Sequence, residues 1–253
     1  MIAACQAPVP EFETGIRLPE RVPRDAKTET TPTVPPAETE KAPVDDTNPD
    51  AGPVKSDPCA AAQLTACFTF EDSVTDAKGA LVAEEVTNVA FITGKLGKAA
   101  RFGTGEGSRV RFTASDAVAT ADVTVEAFVK LDPTFSQEAT VFDVNQRYVM
   151  TIEADGRLLC GSNGGAARGN QVAIDKWVHV ACVFGGGAVI AYVDGAPGQT
   201  SGSFTGMPPS APAISELAAD TPDGTRPFFG AIDNLRVFSV ARTPTEIAAA
   251  VKP

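Results

Sequence analysis

The single Trp and the single His of this 253-residue chain, Trp177 and His179, lie two positions apart in WVHVACVFGGGAVIAYVDG, residues 177 to 195. A histidine does acid-base or metal chemistry only beside a second suitable group. The sequence contains no HxH, HExxH or nucleophile elbow, and a lone His cannot form a two-His metal site. The surrounding residues alternate instead: Trp177, His179, Ala181 and Val183 interleave with Val178, Val180, Cys182 and Phe184. That period of two predicts a strand. After Gly185-Gly186-Gly187 a second apolar run, 188 to 193, ends in Asp194-Gly195, so the stretch reads as a β-meander and His179 as structural.

Other chemistry-bearing types are as sparse. Glu126 in VTVEAFVKL is a lone acid on a strand pattern, and Glu84-Glu85 lacks the alternation that would aim both carboxylates one way. GSNGGAARGN, residues 161 to 170, is Gly-rich without a Lys-Ser/Thr ending, and reads as a loop rather than a phosphate cradle. Its Asn163, Arg168 and Asn170 are candidates to line a polar binding site, as is TPDGTRP at 221 to 227; both also read as solvated connections. With Cys5 set aside, Cys59, Cys67, Cys160 and Cys182 remain, at spacings wrong for a zinc site. Four cysteines allow three pairings; closeness in sequence favours Cys59 with Cys67 and Cys160 with Cys182, the second joining two predicted strands.

Composition divides the chain. Residues 1–57 are rich in Pro, Thr and acids, with eleven of the twenty prolines at or before Pro58, and carry too few bulky apolar side chains to offset the entropy of ordering. They read as a linker. Residues 58–253 are long enough to bury a core without help. The net charge of -11 is shared between the parts, and no basic stripe interleaved with aromatics is present, which excludes a nucleic-acid partner. At the start, Ile2-Ala3-Ala4-Cys5 resembles the lipobox of bacterial lipoproteins, in which the Cys becomes the lipidated N-terminus. The basic and apolar regions of a lipoprotein signal do not precede it here. The resemblance implies a lipid anchor at Cys5 as the only membrane contact, and an outer-membrane lipoprotein or secreted protein of the bacterial cell envelope.

From Leu64 onward short alternating runs predict strands in LTACFTFE, AARFG, SRVRFTA, VTVEAFVKL, ATVFDV, RYVMTIEA, RLLCGS, the two strands of the opening stretch, and FFGAIDNLRVFSV. Such a series with almost no helical periodicity argues for an all-β sandwich or barrel. One helix is expected at the end, with Thr243 as N-cap, Pro244 at the first helical position and Glu246 completing a capping box before IAAAVK.

Five segments taken in order resemble the laminin G-like branch of the concanavalin A-like lectin/glucanase superfamily: LTACFTFED, TGKLGKAARFG, VTVEAFVKLD, KWVHVACVFGGGAVIAYVDG and FFGAIDNLRVFSVARTPTEI, spanning residues 64 to 247. The resemblance implies a jelly-roll sandwich of two antiparallel sheets with about a dozen strands. It also implies a structural Ca²⁺ where the first strand's end meets the last long strand, matching Asp72 and Asp233, with Glu71 a third ligand and the carbonyl of Gly103 or Gly105 another. Hydrolytic relatives carry ExDxxE or ExDxE on a catalytic strand, and neither occurs here. The expectation is therefore no enzyme, but a surface-tethered binding module for a glycan or a protein. A glycan hydrolase of the same fold and a purely structural envelope lipoprotein are the alternatives.

Overall fold

The computed structural model describes residues 57–103, 107–201, 204 and 212–252, so Cys5 and nearly all of the linker-like segment lie outside the described residues. The described elements are fifteen strands and one helix. In chain order they are β1 (Leu64–Phe68), β2 (Ala83–Thr87), β3 (Ala90–Thr93), β4 (Lys98–Phe102), β5 (Arg109–Ser115), β6 (Val123–Leu131), β7 (Ala139–Val144) and β8 (Tyr148–Ile152). There follow β9 (Arg157–Ser162), β10 (Gly165–Gln171), β11 (Val178–Gly185), β12 (Ala188–Val193), β13 (Ala196–Ser201), β14 (Ala213–Leu217), β15 (Gly230–Phe238) and α1 (Pro244–Ala250).

The strands form two antiparallel sheets. The first runs β13-β12-β11-β6-β15-β4-β3, with β1 lying in line with β4 along the same side of β15; the second runs β10-β9-β8-β7-β14-β5-β2. Alternation decides which side chains meet between them. Val123, Val125, Ala127, Val129 and Leu131 of β6 and Val178, Val180, Cys182 and Phe184 of β11 enter the shared core, while Thr124, Glu126, Phe128 and His179 are sent to the outer face. Phe68, Phe102, Phe112, Phe142 and Met150 complete the core from both layers.

GSNGGAARGN is corrected by the structure: it is the end of β9, a two-residue turn and most of β10, paired Gly165↔Ser162 through Arg168↔Leu159. Its small residues hide the strand because β10 is an edge whose backbone meets another edge. A Cβ on Gly198 of β13 would lie 2.3 Å from the Arg168 carbonyl oxygen and 2.5 Å from the Gly169 Cα, so the two sheets close on each other there only without side chains.

The disulfides are Cys59–Cys67, which fastens the start of the described chain to β1, and Cys160–Cys182, which bolts β9 of one sheet to β11 of the other. The Gly186-Gly187 turn between β11 and β12 has φ of 60° and 84°, the left-handed pair that a tight hairpin requires.

Helix α1 carries the expected box: the Thr243 hydroxyl accepts from the Glu246 amide at 3.3 Å, and a Glu246 carboxylate oxygen accepts from the Thr243 amide at 2.7 Å. With seven residues it has little stability of its own and is held by Ile247, buried against Ala181, Val183 and Tyr192 on the outer face of the first sheet. Thr243→Ala is expected to cost about 1 kcal/mol in urea unfolding. No helix among the described residues is long and apolar enough to cross a membrane.

Candidate ligand-binding site

On the outer face of the first sheet the lone histidine comes near an acid. Register places Ala181 of β11 and Arg236 of β15 on either side of Glu126 of β6. Arg236 approaches the fully buried Glu126 carboxylate at 2.7 Å, and the Arg242 Nη1 donates to both of its oxygens at 2.7 Å. His179 Nε2 lies 3.6 Å away, beyond hydrogen-bond length, with its ring edge-on to Phe128 at 5.2 Å. Burial alone would push the Glu126 carboxyl up; His179, Arg236 and Arg242 overcome this and hold it below the usual carboxylate range. The cluster holds no nucleophile, and its acid and imidazole are sealed from solvent, so it serves as an ionic rivet among β6, β15 and the segment leading into α1. Trp177 lies just before β11, half-buried, and Tyr148 and Tyr192 are both buried.

The acids matched to a Ca²⁺ site converge on the turn between β3 and β4. Asp233 is buried; one oxygen accepts from the Leu96 amide at 2.8 Å and the other from the Asn234 side-chain amide at 2.8 Å. Glu71 accepts from the Lys98 amide at 3.1 Å, and Asp72, largely exposed, is ion-paired with the Lys98 ammonium. Gly105 lies outside the described residues, and the Gly103 backbone packs against Phe229. Among the described residues no three His, Cys, Asp or Glu side chains gather as a ligand set. Ca²⁺ wants six to eight oxygens, whereas these carboxylates are engaged by N–H groups and a lysine. As arranged they do not fit the ion; they clasp the turn themselves.

The outer face of the second sheet is built differently. Register aligns one residue from each of six strands in a row: Glu85 of β2, Arg111 of β5, Glu216 of β14, Asp143 of β7, Val149 of β8 and Gly161 of β9. Its first half is ionic. Arg109 pairs with Glu85 at 2.8 Å, and the Arg111 Nε donates to Glu216 at 2.6 Å. Burial pushes the Glu216 carboxyl up against the opposing pull of Arg111. The TPDGTRP segment crosses this face as a strap. The Thr221 amide and hydroxyl donate to one Asp143 oxygen at 2.8 and 2.5 Å, and the Pro222 carbonyl accepts from Arg111 at 2.5 Å. Arg226 ties the strap to Asp220 and, at 2.9 Å, to Glu138. Asp143 is also pushed up, by burial first, against its Thr221 hydrogen bonds.

The row ends in a shallow pocket of about 280 Å³, lined by Asp143, Val149, Gly161 and the turn residues Gln146, Arg147, Ser162 and Asn163, with Tyr148. The turns that frame it are tied together by the Asn163 side-chain amide, which donates to the Gln146 carbonyl at 2.7 Å. The Tyr148 ring faces away into the core, its hydroxyl donating to the Val118 carbonyl at 2.9 Å. Of the polar loop residues read from the sequence, Asn163 lines the pocket and Thr221 latches Asp143; Arg168, bidentate to Glu153, and Asn170 are exposed and do not line it. Asp143 and Glu216 escaped the sequence reading. Each is a single acid inside an otherwise buried strand, which was the available signal.

A family model of the concanavalin A-like lectin/glucanases superfamily, of laminin G type, matches residues 104–248. Domain 4 of AbnA, an extracellular arabinanase from Geobacillus stearothermophilus solved with arabinotriose, is 24% identical, covers 75% of this chain and 98% of its own, and superposes with a TM-score of 0.60. The binding domain of botulinum neurotoxin DC in complex with SialylT is 10% identical over 75% of this chain and 51% of its own, at 0.58. Trypanosoma rangeli sialidase matches at 13% identity, over 76% and 33%, at 0.59. The chain thus spans about half of the toxin binding domain and a third of the sialidase, and at these identities the likeness is one of fold. No curated protein sequence matches. Since the family model covers more than half of the chain and the two-sheet architecture agrees with it, the protein belongs to the laminin G-like branch of the concanavalin A-like lectin/glucanase superfamily.

Proposed function

We propose that this chain is a non-catalytic binding module, carried at the bacterial cell envelope or secreted, that holds a glycan in the pocket on the outer face of the second sheet. The observation that carries this reading is the pocket's construction: an acid, two amide side chains and a hydroxyl grouped over a glycine-and-valine floor, braced by an ionic row running across the sheet. Two disulfides suit an oxidising compartment. A tether lipidated at Cys5 would display such a module.

Catalysis finds no support in either acid cluster. Glu126 and His179 are sealed from solvent, and Glu216 is fully buried and committed to Arg111, which leaves Asp143 without a second open carboxyl beside it. A glycosidase needs two carboxyls open to one bond.

A glycan array probed with the full chain, in millimolar Ca²⁺ and again in chelator, tests the reading. Specific spots are expected in both conditions, and chelator is expected to leave the thermal midpoint unchanged because Asp72, Asp233 and Glu71 already have partners. An empty array in both would overturn the glycan reading and point to a protein partner; spots lost with chelator would restore a Ca²⁺ role.

A further inference from the structure

The chemistry of the pocket restricts which glycans can enter. Asp143, Gln146 and Asn163 supply acceptors and donors suited to hydroxyl groups. Only one aromatic, Tyr148, is among the lining residues, and its ring is turned into the core against Phe184 at 5.2 Å. A sugar here therefore has no ring to stack upon, as it would along an aromatic-lined groove, and is held by hydrogen bonds alone. The floor is Val149 opposite Gly161, where even a Cβ would lie 3.1 Å from Val149 Cγ1, so a larger side chain there must displace Val149 or rise into the pocket. A volume of about 280 Å³ lies just under the roughly 300 Å³ lower bound of ordinary ligand pockets, enough to seat one ring.

Charge narrows the class further. The guanidiniums behind the pocket are spent: Arg109 on Glu85, Arg111 on Glu216, Arg226 on Asp220 and Glu138. Arg147, the one cation among the lining residues, is buried and already engaged. The negative charge that reaches the ligand is that of Asp143, whose partners are the amide and hydroxyl of Thr221 rather than a cation. A ligand carboxylate would meet this carboxylate at short range in a partly desolvated site, where like charges repel strongly.

We propose that the pocket selects a single uncharged residue of a saccharide, with Asp143 accepting from a ring hydroxyl and Asn163 and Gln146 completing the contacts, and that sugar acids are excluded. This rests on the glycan reading above and adds the ligand class and the residue that sets it.

The test is saturation-transfer NMR on the full chain with glucose, galactose and mannose, each set against its uronic acid. At least one neutral sugar is expected to bind, and every uronate at least tenfold more weakly. Asp143→Asn keeps an oxygen for Thr221 while replacing the other by an NH₂ group. It is expected to weaken the neutral sugar at least tenfold and to narrow its advantage over the uronate. Gly161→Val, which fills the floor without touching a charge, is expected to abolish binding, while Arg168→Ala, outside the pocket, leaves it unchanged. Should Asp143→Asn fail to fold, Asn163→Ala in the exposed turn gives the second reading, with an expected loss of three- to tenfold. Uronates binding as well as neutral sugars, or neutral binding that survives Gly161→Val, would overturn the inference while leaving a glycan-binding function intact. Silence from all six sugars alongside positive array spots would do the same; silence from both would overturn the function reading as well.

Discussion

Replacing Glu126 by Ala is expected to destabilise the domain by about 3–5 kcal/mol, the cost of leaving buried charges without their partner. Glu126 is fully buried, and the side chains that surround it are nearly so, Arg236 at 16% exposure and Arg242 at 14%. Removing the carboxylate leaves two guanidiniums facing each other beside His179 in a site that water reaches only at its margin. The effect spreads because the rivet joins β6 to β15 and holds the entry to α1, where Arg242 also donates to the Glu246 carbonyl at 3.1 Å and lies 4.4 Å over the Phe238 ring. For a domain of this size each kcal/mol moves the thermal midpoint by roughly 2–4 °C, so a fall on the order of 10 °C is expected by calorimetry. Glu126→Gln, which keeps one acceptor oxygen and no charge, should fall in between. Replacing Glu126, Arg236 and Arg242 together by Leu and Met should recover much of the loss, because an apolar cluster carries no desolvation cost. A Glu126→Ala loss below about 1 kcal/mol would show that the cluster is not a structural rivet.

The legibility of this chain tracks how strongly each strand alternates. VTVEAFVKL, ATVFDV and RLLCGS coincide with β6, β7 and β9, since each sends regular apolar side chains into the core. The strands that escaped the reading, β2, β3, β10, β13 and β14, include the strand at each end of both sheets, where one side lacks a neighbour and the apolar signal thins. AEEVT shows two adjacent acids, APGQTS a proline, and GAARGNQ the small residues that the approach of β10 to β13 requires. The close cysteine pairs were readable because chain proximity and strand placement coincide. The pocket was legible only at Asn163, and the strap beside it through TPDGTRP. Its defining acid was not, because the neighbourhood of Asp143 and Glu216 exists only through a register between β7 and β14 that local patterning does not encode. His179 shows the converse: its strand setting was legible, while its closeness to Glu126 depended on that same kind of pairing.

Stability is expected to peak on the acid side of neutrality, between about pH 4.5 and 6, and the sign follows from two buried acids shifted in opposite directions. Burial pushes Asp233 from its ordinary 3.8 up to about 6, against the N–H groups of Leu96, Asn234 and Lys95. The folded protein therefore holds this proton more tightly than the unfolded chain, and stability falls as pH rises through that window. From pH 5 to 7.5 the loss from Asp233 alone is about 1.4 kcal/mol, out of roughly 3 kcal/mol over the full shift. Asp143 and Glu216, both raised by burial, add in the same direction. Glu126 sets the acid limb: despite its burial, His179 and the two guanidiniums hold it below its ordinary 4.5, so its contribution is present above that value and is lost as pH falls through its folded titration. Urea unfolding at pH 4, 5, 6 and 7.5 should trace this maximum. Asp233→Asn, though less stable overall because one amide oxygen cannot accept from both Leu96 and Asn234, should flatten the slope between pH 5 and 7.5. A wild-type stability that rises across that interval would mean that the buried Asp233 is stabilised in its charged form, as it would be by a bound cation, and would return the turn between β3 and β4 to consideration as a metal site.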